Sequence, residues 1–282
     1  MQGVKTLEEH HCFEGIQGFY EHASATIGLP MRFGVYRPPQ ALAGQACPVL
    51  FYLAGLTCNE QTFAIKAGAQ ALAAQLGIVL VTPDTSPRDT GIEGAEADWD
   101  FGTGAGFYLD ATQAPWSRHW RMESWVTGEL RELVGRAFPV RLDAAGIFGH
   151  SMGGHGALTL ALRHPDLYRS VSACAPICAP GEVPWGQKAF RGYLGDDPAA
   201  WKAHDAVQLI ASGARTPEAL VDQGLEDQFL AVQLRPERLE ETCAAAGQPL
   251  TLRRHAGYDH GYFFVATFMG DHLRHHARTL CV

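Results

Sequence analysis

The stretch GHSMGGHGA, residues Gly149 to Ala157, sets four glycines around a single serine. Glycine loses more backbone freedom on ordering than any other residue, so this composition suits neither a helix interior nor a strand. Apolar, strand-like residues precede it (Ala144 to Phe148) and a helix-like run follows (Ala157 to Arg163). Gly149-x-Ser151-x-Gly153 therefore reads as a nucleophile elbow, a tight strand-to-helix turn that pushes a serine hydroxyl into the open. In such a turn side chains at Gly149 and Gly153 would collide with neighbouring backbone. Gly154 and Gly156 would let the following helix pack closely on the sheet. Chance alone supplies ~0.1 such patterns in a chain of this composition, so the strand before and the helix after give the motif its weight.

Outward from the serine, strand-like and helix-like segments alternate. Gly18 to Arg37 alternates apolar and polar residues around Gly28-Leu29-Pro30 and predicts an antiparallel hairpin. Pro48 to Leu56 is a continuous apolar run, the mark of a strand buried on both faces. Thr62 to Leu76 has helical spacing, and GIVLVTPDTSPR is a second buried strand ended by Pro83. Arg88 to Ser117 shows no period and predicts a long functional loop. Ser124 to Phe138 predicts a helix, then come a strand ending at Phe148, a helix Gly153 to His164 and a strand Ser170 to Ala175. A loop-rich stretch is expected to about Pro217. Strand Ala219–Val221, helix Pro236–Ala246, strand Leu250–His255 and helix Tyr262–Thr279 then close the chain. This alternation predicts an α/β fold, a mainly parallel central sheet with helices on both faces, in a single domain over residues 1–282.

The bulk numbers narrow the function. With 46% hydrophobic and 18% charged residues the chain has ample material for a core. A net charge of −8 argues against a nucleic-acid partner, which needs a basic face. Seven cysteines without a CxxC pair read as reduced thiols, and the charged first residues lack the apolar core of a signal peptide. No apolar run reaches membrane-spanning length. The expectation is a soluble, cytoplasmic protein.

A serine hydroxyl needs a base and an orienting carboxylate to become a nucleophile, and in this fold the chain order is serine, carboxylate, histidine. His260 in HAGYDHG lies between the last strand and the last helix and suits the base. His272, His275 and His276 lie too far along the terminal helix. Their HLRHH pattern has metal-ligand spacing, but a solvated, partly basic helix end is the preferred reading. ALVDQGLEDQFL offers Asp222 and Asp227 ahead of Glu226. Asp222 sits at the end of a strand and Asp227 a few residues on, with more reach; the residues alone leave both open. Oxyanion donors are expected from the N–H of Met152, after the nucleophile, and of Leu56, after Gly55 in LAGLTCNE. GTGAGF (Gly102 to Phe107) lacks dinucleotide spacing and is expected to wall the mouth of the site. No metal or organic cofactor is implied.

YLAGLTCNEQTF, TPDTSPR, GAGFYLDAT, GHSMGGHGAL, PWGQKAFRGYLG, DQGLEDQFL and GYDHGYFF, in that order, resemble the S-formylglutathione hydrolase (esterase D) family. The resemblance implies an α/β-hydrolase that cleaves the thioester S-formylglutathione to formate and glutathione, in formaldehyde removal. It implies Ser151 as nucleophile, His260 as base and, from the second aspartate of D-Q-G-x-x-D, Asp227 as the third member. It also sets Cys58 close to the active site, where nearness rather than chemistry is expected of it. Glutathione carries two carboxylates, so a cationic contact is expected, with Lys66, Arg118 and Lys188 as candidates and Trp185 beside the last. A homodimer is a family-level expectation. Family members more often read GYDHSYYF, so Gly261 is a departure that would loosen the histidine loop or enlarge the acyl pocket. The alternatives are a general small-acyl carboxylesterase, an acyltransferase, and a non-catalytic binding protein of the same fold.

Overall fold

Buried apolar runs build the centre of the molecule. In the computed structural model, which describes residues 3–282, Cys47–Leu53 and Val79–Pro83 are buried at every position, as strands covered on both faces must be. They belong to a nine-stranded sheet. Its strands are β1 (Lys5–Cys12), β2 (Gly15–Ala23), β3 (Pro30–Arg37), β4 (Cys47–Leu53), β5 (Val79–Pro83), β6 (Val140–His150), β7 (Val171–Cys174), β8 (Ala219–Gly224) and β9 (Leu250–His255). The spatial order is β1-β2-β3-β5-β4-β6-β7-β8-β9. The first three strands run antiparallel to their neighbours, and all pairs from β5 to β9 are parallel.

From β4 the chain turns to one side to form β5 and later to the other to form β6. This reversal of direction opens a crevice outside the carboxyl ends of β4 and β6, where ligands of open α/β sheets sit. Strand periodicity supplies the two helical layers. On β7, Ala173 abuts Gly154 of the helix Met152–Arg163, whereas its neighbour Ser172 bonds to His272 and His276 of the terminal helix Tyr262–Leu280.

Several expectations are corrected. The helix expected over Thr62–Leu76 is two, Thr62–Lys66 and Gln70–Leu76, separated where Gly68 takes φ +65°. The expected loop-rich stretch before Pro217 contains the helices Pro184–Leu194, Pro198–Trp201 and Ala206–Ala211. Their start signals are in the sequence: proline in the first turn of two, and the Asp197 and Asp205 side chains capping the N–H groups of Ala199 and Gln208. Strand β1 carries no apolar face, being exposed at nearly every position, so alternation gives no sign of it.

The terminal histidines are not a solvated end. His272 and His276 are fully buried and His275 nearly so. Ser170 donates to His276 Nδ1 (2.6 Å), His276 Nε2–H to Ser172 (2.9 Å), and Ser172 to His272 Nδ1 (2.7 Å). His272 Nε2–H donates to Asp222 (3.1 Å). Burial pushes the His276 pKa well down, with His275 and His272 adding to the effect, so it stays neutral and this donor order closes. Asp222, fully buried, also accepts from Arg253 (2.6 and 2.5 Å) and His255 (3.0 Å). Burial alone would raise its pKa, but the bonds from His272, Arg253 and His255 outweigh it and hold the carboxyl well below the usual range.

Asp222→Ala is expected to lose about 2–4 kcal/mol of stability, because it leaves the donors of buried His272 and of His255 and Arg253 without their shared acceptor, although Arg253 keeps Asp271; denaturant unfolding reads this. The wild-type contribution is complete above pH ~4 and lost as pH falls through the depressed folded value. The stability gap between the two proteins should therefore narrow on acidification.

Candidate active site

Ser151 sits between β6 and the helix Met152–Arg163 with φ +59°, a left-handed backbone that a serine adopts only under constraint. The constraint is visible around it. A Cβ on Gly149 would overlap the Gly153 backbone, and one on Gly153 would overlap the Leu53 and Ala54 carbonyls of the neighbouring strand end. Gly154 packs on Pro176 and Ala173, as expected for close helix-to-sheet packing, but Gly156 packs on the Tyr108 ring. The turn is tied to β7 by Ser151 N–H donating to Cys174 O (3.0 Å).

His260, on the turn after β9, brings Nε2 to 2.9 Å from Ser151 Oγ and Nδ1 to 2.6 Å from Asp227 Oδ2. Nδ1–H donates to the carboxylate, which leaves Nε2 as acceptor for the serine hydroxyl. Asp227 is buried, and it accepts the Phe229 N–H on Oδ1 (2.8 Å) and Gln223 Nε2 on Oδ2 (3.2 Å). Asp222 is bound to Arg253, His255 and His272, as described above; its bonds are with the terminal helix and β9. Of the two carboxylates, only Asp227 meets His260.

The residue before the serine holds the histidine loop. His150 Nε2–H donates to the His260 carbonyl (3.0 Å), and the two rings lie 4.6 Å apart. Burial first, and the neighbouring His260 second, push the His150 pKa well down, so it remains neutral.

Leu56 lies in the loop after β4, and a Cβ on Gly55 would come within 3.1 Å of Ser151 Cβ, which brings this loop directly against Ser151. The Leu56 and Met152 N–H groups take no acceptor among the described residues. The loop is braced from behind. Tyr108 OH donates to Ala54 O (2.8 Å), Thr57 N–H to Gly104 O (2.9 Å), and Thr85 Oγ1 to Cys58 O (2.6 Å). The GTGAGF segment thus supports the loop rather than walling the mouth; none of its residues lines the pocket.

That pocket, about 200 Å³, is lined by Ser151, His260 and the 55–58 loop, closed by Trp99, Trp185 and Phe229. Phe229 stands edge-on to His260 (5.0 Å) and packs on Trp185 (4.7 Å). Cys58 and Trp185 both line the pocket. Burial raises the Cys58 pKa, outweighing its bonds to Thr62 and Tyr262, and a protonated thiol is a poor nucleophile. The cationic candidates are not brought to the pocket as free charges. Lys188 is paired with Asp98 and Asp100, Lys66 lies over the Tyr262 ring, and Arg118 is exposed outside the lining. Trp99 lies in no motif, whereas His150, Gln223 and Phe229 lie inside GHSMGGHGAL and DQGLEDQFL but are not singled out there by residue type or spacing.

Gly261 does not enlarge this pocket. It lines instead a separate cleft of about 370 Å³ with Glu226, Gln228 and Asp259, which shares Phe229 and His260 with the Ser151 pocket. Its φ of −81° is open to any residue, and a Cβ there would meet only the Asp259 carboxylate, at 3.2 Å.

The mainly parallel sheet, with its strained strand-to-helix turn at the carboxyl edge, is an α/β-hydrolase fold. The esterase family matches residues 24–275. S-formylglutathione hydrolases of mouse and of Paracoccus denitrificans are 50% and 53% identical to the chain over 98% of its length, covering 99% and 98% of their own. The solved S-formylglutathione hydrolase of Agrobacterium tumefaciens superposes with a TM-score of 0.96 at 47% identity, over 98% of this chain and 99% of that one. The chain belongs to the S-formylglutathione hydrolase family and is a hydrolase. No helix among the described residues is long and apolar enough to cross a membrane.

Gly261 is the N-cap of the terminal helix and has no side chain to cap it. Gly261→Ser should supply that cap and restrict the unfolded chain, raising stability by about 0.5–1 kcal/mol. Thermal unfolding reads the gain, and kcat should stay within about twofold.

Proposed function

We propose that the chain hydrolyses S-formylglutathione to formate and glutathione by a two-step acyl transfer. The observation that carries this reading is the continuous hydrogen-bonded line Ser151–His260–Asp227 at the floor of a small pocket. The full-length similarity to S-formylglutathione hydrolases supports the substrate.

Ser151 Oγ attacks the formyl carbonyl while His260 Nε2 takes its proton, and Asp227 holds the imidazolium that forms. The carbonyl oxygen becomes an oxyanion, which the N–H groups of Leu56 and Met152 receive; the second stands at a helix N-terminus, where the dipole favours negative charge. Each such donor is worth about 10²–10³ in rate. Collapse of the tetrahedral species breaks the carbon–sulfur bond. The sulfur departs as a thiolate and takes up the proton held by His260, which frees Nε2 to act as a base again; a thiol of pKa ~8.5 is a good leaving group. Water then gives its proton to His260, attacks the formyl-serine and releases formate.

Neutral His150 suits this scheme, since a second cation beside His260 would oppose the imidazolium. The reading places the reaction in the cytoplasm as part of formaldehyde removal. It is supported there by seven cysteines that are all free thiols.

Ser151→Ala is expected to lower kcat/KM for S-formylglutathione by about 10⁴-fold or more, and Asp227→Asn by about 10⁴-fold through the wrong imidazole tautomer. Steady-state kinetics beside a compact aryl acetate test the assignment. Equal kcat/KM on the two substrates would reduce the reading to a general small-acyl esterase, and activity surviving in Ser151→Ala would overturn the mechanism.

A further inference from the structure

Among the residues that close the pocket, Trp99 is unusual in its exposure: 55% of its surface faces solvent although the indole lines the site. A large aromatic ring left half in water at a pocket mouth is apolar area for a ligand to cover. It sits in a tight turn closed by the Asp98–Phe101 bridge, edge-on to Trp185 at 5.5 Å. One end of the turn is anchored by packing: Phe101 stacks on Tyr193 (4.6 Å) and stands edge-on to Trp116 (4.8 Å). The residues on either side of Trp99 are held by charge. Lys188 Nζ lies 3.1 Å from Asp98 and 2.5 Å from Asp100.

Lys188 follows Trp185 by three positions on the helix Pro184–Leu194, so the two side chains project from one face of it. The same helix therefore presents Trp185 to the Trp99 ring and a clamp to the carboxylates that flank it. Two carboxylates facing one ammonium leave the group net negative, which makes it a poor receptor for the carboxylates of glutathione.

We propose that Trp99 is a specificity-determining wall for the thiol portion of the substrate, and that Lys188 is the positioning residue that holds it through Asp98 and Asp100. This rests on the glutathione-thioester reading. The formyl carbon is small enough to sit at Ser151 between the Leu56 and Met152 N–H groups, so the rest of the substrate must leave through the mouth. There the exposed indole meets the cysteinyl and peptide portion of glutathione.

The test is a double-mutant cycle of Trp99→Ala and Lys188→Met. It is read as KM for S-formylglutathione and as the inhibition constant of glutathione against aryl acetate hydrolysis. Each single change is expected to raise both quantities ~5–10-fold with kcat reduced less than ~2-fold. Thermal stability should move little in Lys188→Met, because Lys188 and Asp98 are exposed, only Asp100 is partly buried, and Phe101 still anchors the turn. In the Trp99→Ala background, Lys188→Met should have no further effect.

Additive effects would overturn the positioning role, since Lys188 would then contact glutathione itself. Unchanged KM and inhibition in Trp99→Ala would overturn the wall, as would a uniform loss of kcat on thioester and acetate. A wild-type protein that neither turns over S-formylglutathione nor is inhibited by glutathione would overturn the substrate reading itself, and with it this proposal; the first three outcomes leave that reading standing.

Discussion

The close approach of two backbones at Gly149, Gly153 and Leu53 is the constraint on which the site depends. A helix that starts immediately after β6 has its first turn pressed against the end of β4, and no Cβ fits between them. The chain meets this condition only by forcing Ser151 into a left-handed conformation, which holds its hydroxyl out of the helix and within reach of His260. The strain is held by the sheet: the Ser151 N–H is fixed to β7, and β7 is hydrogen-bonded in register with β6 and β8. The placement of the Ser151 hydroxyl is thus a property of four strands rather than of one turn.

Around that point the fold separates two carboxylates that stand five residues apart in sequence. Asp222, still within β8, is fully buried and neutralised by Arg253, with hydrogen bonds from His255 and, from the terminal helix, His272. Asp227, past the strand end, is reached by His260, Gln223 and one backbone N–H. The first carboxylate ties β8 and β9 to the terminal helix, whose first residues follow His260; the second orients the histidine. A charge fully matched by an arginine has little left to offer an imidazolium, which is why the two are not interchangeable. The same division holds for histidines: His272 and His276 form a hydrogen-bonded seam under β7, while His260 faces the pocket.

The long irregular segment between β5 and the helical stretch 122–137 acts in three places at once. Its Tyr108 and Gly104 brace the loop that carries Leu56, its Phe101 enters an aromatic cluster with Trp116 and Tyr193, and its Trp99 reaches the pocket mouth. A segment without periodic structure gains its order from these contacts, so its function is invisible in local pattern.

What was legible in the sequence follows from local physics. Continuous apolar runs marked β4 and β5, helical spacing marked Pro236–Ala246, and glycine spacing marked the elbow, because each depends on residues within one turn or one strand. The chain order of serine, carboxylate and histidine narrowed the triad to Ser151, His260 and one of two aspartates. Tertiary structure decided the rest. It set Asp222 with Arg253, whose partnership spans 31 residues, and buried HLRHH by pairing it with serines about a hundred residues away. It also spent the Lys188 charge on Asp98 and Asp100. Strand β1 was missed because an edge strand exposed on both faces has no apolar side to display. Residue type and spacing determined which chemistry the chain is able to perform. Which of several chemically equal groups performs it was decided by long-range contacts, because burial and charge pairing exist only once distant segments meet.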